Sequence, residues 1–494
     1  MNVLLITADQ WRGDCVGYAG NNLIRTPVLD ALATESTAYL NHYAQAAPCS
    51  PARACLYTGL YQMNNRVCRN GTPLAARFDN IALAARRAGY DPTLFGYNDV
   101  SLDPTGKSPA DPDNTTYESV LPGFTTRLKL PEHEKPWLSW LRAQGLEFAD
   151  KDAAHLPVGV PPGAITNAPP AYSAEQTQTA FLVGEFTRWL SEQDRPWFAH
   201  VSLIRPHPPF VVPAPYNTMY DPADLPGFRR EASFDAETAQ HPLLDLMLRT
   251  GEASHFVPGS TALLKDLSDT DYRQIKATYY GMVSEVDAQL GRAFDTIRAR
   301  GEWDDTLIVF TSDHAEMMGD HFALGKGGWF DESQHIPLLI RDPRQPGGRR
   351  VMGFTEAVDV FPTLLETMGV TSTHQPDGRS LTGRDGDTVV HWEFDFRDVS
   401  GQSIETALGL KSTQLNLAVI RTAEWKYVHF AALPPLLFDL RRDPNCLRNV
   451  ANDPACMAAR LDMAERLLSW RAEHLDQTLA LTELTSAGVV RRQV

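Results

Sequence analysis

The chain reads as an α/β protein: a large mixed, mainly parallel sheet sandwiched by helices, followed by a smaller C-terminal α+β domain. Three observations predict this. Short apolar runs at residues 3–7, 198–204, 307–311 and 337–340 are bounded by turn residues and separated by helical patterns, as in a parallel sheet covered on both faces. From Tyr272 onward, Ile275, Tyr279, Met282, Val283, Val286, Leu290, Phe294 and Ile297 recur at steps of three and four, which lays one apolar stripe along a covering helix. Beyond residue 375 the pattern changes to strand-like runs at 417–421, 426–430 and 436–440 and a helix near 457–474. The expected division is a large domain over 1–375 and an antiparallel-sheet-plus-helix subdomain with a tail over 376–494. Residues 99–175 and 205–265 are rich in Pro, Asp and Gly without strong periodicity and read as long excursions that shape a pocket rim.

Composition narrows the function classes. Lys plus Arg is 45 against 61 Asp plus Glu, a net −16, which leaves no basic field for nucleic acid or anionic lipid. The N-terminus, Met1-Asn2-Val3-Leu4-Leu5-Ile6, has no basic leader region and reads as an immediate strand. No window approaches the roughly 18 consecutive apolar residues of a spanning helix. A cytoplasmic protein without nucleic-acid or membrane partners is expected. Six cysteines, without paired C-x-x-C spacing, exclude a disulfide framework or a zinc knuckle and read mostly as buried thiols.

Chemistry concentrates at strand ends. Asp9-Gln10 follows the first strand and Asp313-His314 follows the run at 307–311, where parallel sheets bind ligands. Two acidic strand ends and a histidine can converge on one divalent metal, although any one of them also fits a turn cap or a satisfied core histidine. Gly319-Asp320-His321 and Gly325-Lys326 follow shortly, and Lys326 adds a cation near the same place. In Cys49-Ser50-Pro51-Ala52-Arg53 the proline suits a first helical turn, so Cys49 lies at or just before a helix N-terminus, where an anionic nucleophile is stabilised. As an ordinary thiol, Cys49 reads as a reactive cysteine of lowered pKa. C-x-P-x-R is also the signature by which sulfatases have a cysteine oxidised to formylglycine.

Taken together, Asp9, Cys49 to Arg53 with Leu56-Tyr57-Thr58-Gly59, Thr311-Ser312-Asp313-His314 and Gly325-Lys326 resemble the sulfatases of the alkaline phosphatase superfamily. The resemblance is nearer to the branch of phosphonate monoester hydrolases and related arylsulfatases through Ala8-Asp9-Gln10-Trp11-Arg12, Arg205-Pro206-His207-Pro208-Pro209-Phe210 and the segment from Tyr427 to Pro435. It implies an alkaline phosphatase-like fold and a formylglycine derived from Cys49, whose hydrate attacks sulfur or phosphorus with one hydroxyl and expels the bound anion with the other. It implies Asp9, Asp313 and His314 as metal ligands together with residue 49, and Gln10 as a neutral oxygen ligand. Arg53 would orient the nucleophile, Lys326 would contact the transferring group and the departing oxygen, and His207 would meet the leaving oxygen or donate a proton to it. Asn70 and Tyr97 fall at positions that hydrogen-bond the substrate's anionic oxygens.

Where sulfatases often carry two adjacent acids, this chain has Asp9-Gln10, which moves the expected single metal from Ca²⁺ toward Mn²⁺ while keeping both. The larger departure is Asn98-Asp99-Val100-Ser101, where phosphonate monoester hydrolases carry threonines, and the sulfatase G-K-W-H segment is missing. If Asp99 faces an anionic substrate it must be protonated or paired, so it is expected to influence substrate preference. The expected activity is hydrolysis of small anionic esters, aryl sulfates slightly ahead of phosphonate monoesters, with promiscuity toward both and toward phosphodiesters. The alternatives are a primary phosphonate monoester hydrolase or phosphodiesterase, a two-metal phosphatase or phosphomutase of the wider superfamily, and a non-catalytic anion-binding protein with unmodified Cys49. Expected partners are a formylglycine-generating enzyme and a second copy of the chain in a homodimer or homotetramer, docked through the partly apolar segment 461–494.

Overall fold

The structure, a computed structural model, describes residues 1–491; residues 492–494, the end of the expected tail, lie outside the described residues. Eight strands form one sheet: β1 (Asn2–Ala8), β2 (Thr37–Tyr43), β3 (Pro92–Gly96), β4 (Thr125–Lys129), β5 (Phe198–Leu203), β6 (Thr306–Thr311), β7 (His335–Arg341) and β8 (Arg349–Glu356). Their order is β8-β2-β7-β6-β1-β5-β3-β4. β1 is central and parallel to both neighbours, β5 and β6. β7, predicted as one of the parallel runs, is instead antiparallel to β2 and β6. It returns from β6 without a crossover helix, which a parallel connection requires.

Alternation along β1 sends Leu4, Ile6 and Ala8 to one face and Val3 and Leu5 to the other. The first face packs on helices α1 (Pro27–Thr34), α4 (Gln178–Leu190) and α5 (Asp269–Ala299), and the second on α2 (Cys49–Thr58), α3 (Ile81–Arg87) and α6 (Val360–Met368). α5 is the predicted striped helix. Its stripe residues are buried, and its N-terminus is closed by a Ser268–Asp271 capping box. β2, β3, β4 and β8 gave no clear apolar run in the sequence, because polar residues such as Asn41 and His42 in β2 and Thr125 to Arg127 in the exposed β4 interrupt it.

The second sheet is an antiparallel meander of β9 (Val389–Asp395), β10 (Asn416–Thr422), β11 (Trp425–Phe430) and β12 (Leu436–Asp439). Helix α7 (Met457–Glu473) covers it through Met463, Leu467 and Trp470, and a short hairpin, β13 (Thr482–Thr485) and β14 (Gly488–Arg491), follows. Trp470 is also the joint to the first unit: its ring stacks on His391 at 4.5 Å and meets Tyr61, just beyond α2, at 4.8 Å. Thus the C-terminal unit packs behind the helix that carries Cys49. Trp470→Ala should destabilise the protein by about 3–5 kcal/mol, read as a lowered denaturant midpoint, because the ring is buried on both sides.

Candidate active site

Strand register assembles the site. Thr7 pairs with Thr311 and with Ser202, so Asp9 and Asp313, each two residues beyond, emerge level at the carboxyl end of the sheet. β3 delivers Tyr97 to the same edge. Gly96 precedes it with φ +104, and a Cβ there would stand 1.9 Å from the Ser202 carbonyl oxygen, so only glycine allows β3 so close to β5. From the opposite direction comes α2. Cys49 is its first residue and Pro51 lies in its first turn, as the sequence predicts. Pro48 offers no capping side chain, and Asn70 Oδ1 accepts the Ser50 N–H instead at 3.0 Å.

Arg53, fully buried one turn along α2, is the charge centre. Its Nε donates to Asp313 Oδ2 at 2.9 Å and Nη2 to Asp9 Oδ2 at 3.1 Å, while Nη1 donates to Ser202 Oγ at 2.9 Å and to the Tyr57 hydroxyl at 3.2 Å. Its guanidinium lies 4.3 Å from the centre of the Tyr97 ring, and the Tyr97 hydroxyl donates to Asp9. Burial alone would raise Asp9, but Arg53, His314, Lys326 and Tyr97 outweigh it and hold the carboxyl at about 2. Burial keeps the His314 imidazole below its ordinary pKa, in the neutral form a metal needs. The Cys49 thiol is pushed well up by burial and by Asp9, so the reading of a cysteine with lowered pKa is corrected: burial and the neighbouring carboxylates disfavour the thiolate.

Asp9, Cys49, Asp313 and His314 offer donor atoms that all lie within 4.8 Å of one another. His314 Nε2 is 3.2 Å from Cys49 Sγ, 3.7 Å from Asp313 Oδ2 and 3.8 Å from Asp9 Oδ1. Asp9 Oδ1 is buried with no hydrogen-bond partner among the described residues. An orphaned carboxylate oxygen beside a second carboxylate and a neutral imidazole suits a divalent cation. Residue 49 is here the encoded cysteine, and Sγ marks the place of the oxygens that oxidation to formylglycine would install.

Gln10 has another occupation. Its Oε1 accepts from Lys326 Nζ at 2.6 Å and its amide nitrogen donates to Glu316, so it links the lysine to the loop after β6. Glu316 also accepts the backbone N–H groups of Gly325 at 2.7 Å and Met318 at 3.0 Å. Burial would lower Lys326, but Cys49, Asp9 and Asp313 outweigh it and hold the ammonium above its usual pKa. His207 lines the same cavity with Nδ1 2.7 Å from the Pro208 carbonyl. That contact places the ring proton on Nδ1, and burial with the nearby Lys326 holds the second nitrogen unprotonated. His207 thus faces the cavity as a neutral ring, and Lys326 is a cation in the same cavity. Asp99 is 4% exposed and lines the cavity beside Cys49, Asn70 and Tyr97. Burial, with Asp9, Glu118 and Asp313, outweighs Arg53 and raises its pKa to about 7.

Gly319-Asp320-His321 stays outside the cavity: Asp320 pairs with Arg12 at 2.7 Å and His321 with Glu237 at 2.9 Å. Sequence reading missed Glu316, three residues beyond Asp313, and Tyr279 of α5, whose hydroxyl donates to the Gln10 carbonyl at 2.7 Å and accepts the Arg12 N–H at 3.0 Å. Glu316 stood in the already suspected loop. Tyr279 looked only like one residue of an apolar stripe. The excursions do form the rim, contributing Glu118, Glu134, His155 and Phe256.

A nucleophile position at a helix N-terminus, facing two strand-end carboxylates bridged by an arginine on a mixed sheet of this order, defines the alkaline phosphatase class of hydrolases. Within it the chain belongs to the sulfatase family: the sulfatase family model matches residues 1–370, and that of the N-sulphoglucosamine sulphohydrolase C-terminal region matches residues 319–473. The phosphonate monoester hydrolase of Agrobacterium radiobacter is 57% identical with a TM-score of 0.98, each chain covered over 100%. The multifunctional alkaline phosphatase superfamily protein PehA of Trinickia caryophylli is 40% identical over 99% of both chains. An arylsulfatase of Clostridium perfringens is more distant, 26% identical over 94% of this chain and 93% of its own. No helix among the described residues is long and apolar enough to cross a membrane.

Lys326→Met should lower kcat about 10²–10³-fold, because one aimed cation at a developing charge is lost. Initial rates over a series of aryl esters should show the larger loss for the more basic leaving groups.

Proposed function

We propose that the protein hydrolyses singly charged tetrahedral esters, phosphonate monoesters and aryl sulfates alike, with formylglycine at position 49 and one divalent metal. The observation that carries this reading is the convergence of Cys49, Asp9, Asp313 and His314 within 4.8 Å at the head of a C-x-P-x-R helix. The departure at Asp99 from the threonines of phosphonate monoester hydrolases favours aryl sulfates slightly. The 57% identity to a phosphonate monoester hydrolase puts phosphonate esters on an equal footing. Both substrates carry one negative charge on a tetrahedral centre, so one electrostatic arrangement serves both.

The metal, when bound by Asp9, Asp313, His314 and residue 49, supplies Lewis-acid stabilisation of the nucleophile and of the transferring oxygens. Two carboxylates with an imidazole suit Mn²⁺ or Ca²⁺. Arg53 bridges the two carboxylates and helps hold Asp9 ionised. Asn70 fixes the first turn of α2, and with it residue 49, through Ser50. Lys326, steadied by Gln10, takes up charge on the departing oxygen. A formylglycine-generating enzyme is the partner this chemistry requires. The oligomer is proposed on the exposed Leu461, Leu468, Leu475 and Leu479 of the C-terminal segment, and a solution mass of one chain counts against it.

Mass spectrometry of the Cys49 peptide should show the aldehyde or its hydrate in place of the thiol, and metal analysis one ion per chain. A plain thiol in fully active protein, or two zinc ions per chain, overturns the reading. Asp99 makes a second prediction. Its carboxyl is neutral below about pH 7 and charged above, so KM for an anionic ester without cationic groups should rise as pH passes 7, and Asp99→Asn should flatten that rise.

A further inference from the structure

The outer half of the pocket is acidic, although the reacting group is an anion. The cavity, of about 1000 Å³, extends from Cys49 past Asp99 and Tyr97 to the rim formed by the two long excursions. Six carboxylates line it, and two have cationic partners, Asp9 with Arg53 at 3.1 Å and Glu132 with Lys151 at 3.2 Å, while Glu134 meets at 3.0 Å the imidazole of His155, which burial holds below its ordinary pKa. Among the described residues Glu118 accepts only the backbone N–H of Glu132, and Asp152 is exposed at the rim. Asp99 lies deepest. It is 4% exposed, and no hydrogen bond or ion pair reaches its carboxyl among the described residues.

Its carboxyl faces the open cavity and not the packed interior, so a partner for it comes from whatever occupies that cavity. Lys326 is already engaged by Gln10 and faces Cys49, and Arg53 is saturated by Asp9, Asp313 and Ser202. Among the described residues no ammonium or guanidinium lies within ion-pair distance of Asp99, and Arg53 reaches it only as a more distant charge. The aromatic residues Tyr117 and Phe256 line the same cavity, and aromatic faces attract cations.

We propose that Asp99, with Glu118 behind it, forms a cation subsite, and that the preferred substrates are zwitterionic esters carrying an ammonium or quaternary ammonium group near the anionic centre. This rests on the hydrolase reading above and names its substrate class. The anionic centre meets Lys326 and the nucleophile, the cationic group meets Asp99, and a neutral or purely anionic ester leaves Asp99 without a partner.

The test uses the metal-loaded, formylglycine-containing protein at pH 8 and two matched pairs of esters. One pair places the charge on the retained group: the 4-nitrophenyl esters of 2-aminoethylphosphonate and propylphosphonate. The other places it on the departing group: methylphosphonate esters of 4-(trimethylammoniomethyl)phenol and 4-neopentylphenol. In at least one pair the cationic member should have the higher kcat/KM by about tenfold or more, the size of one charge-assisted contact. The pair that shows it locates the cation. Asp99→Asn and Asp99→Thr should each bring that ratio close to one. Ratios near one in both pairs for the unaltered protein overturn the subsite whether or not the variants fold, and so does a preference that survives both substitutions. Turnover of the esters without a cationic group reports the hydrolase reading separately: turnover without cation preference sinks the subsite alone, whereas no turnover of any ester sinks both.

Discussion

The site depends on one guanidinium. Arg53 bridges Asp9 and Asp313, which come from separate strands, and it does so from a helix lying on one face of the sheet. Two carboxylates side by side with no water would repel, and one would take a proton. With Arg53 between them Asp9 remains ionised, and the cost of burying three charges is offset by their mutual contacts and by the hydroxyls of Ser202 and Tyr57. The fold serves this arrangement: parallel register makes the two strand ends level, Gly96 lets Tyr97 close over the arginine, and α5 ties down the Gln10 loop through Tyr279.

Charge is sorted by depth. At the base the positive groups, Arg53 and Lys326, and the N-terminus of α2 face the place of the transferring group. Toward the rim the carboxylates outnumber their partners, and Asp99 stands at the boundary. The net −16 of the chain is thus compatible with an anion-handling base. It is also reflected inside the pocket, where a uniformly basic funnel would suit any anion and a divided one selects for a second, opposite charge.

Much of the architecture was legible. The striped helix α5, the strands carrying Asp9 and Asp313 and the C-terminal meander followed from periodicities that burial on one face imposes. β2 and β4 were not, because their polar residues are tolerated by local partners: Asn41 donates to the Met352 carbonyl, and β4 is an exposed edge. The antiparallel turn of β7 was hidden too, since an apolar run is the same in either direction.

The sequence by itself determined the chemistry available: C-x-P-x-R with two strand-end acids, a histidine and a lysine in this order leaves few other readings, because each residue type carries its own donor set. Tertiary structure decided what those groups do to one another. That Gln10 steadies Lys326, that Cys49 is a poor thiolate, that His207 is a neutral ring and that Asp99 faces the cavity with no ion-pair partner among the described residues are statements about distance and desolvation. Residues hundreds of positions apart set both, and no local pattern in the chain encodes them.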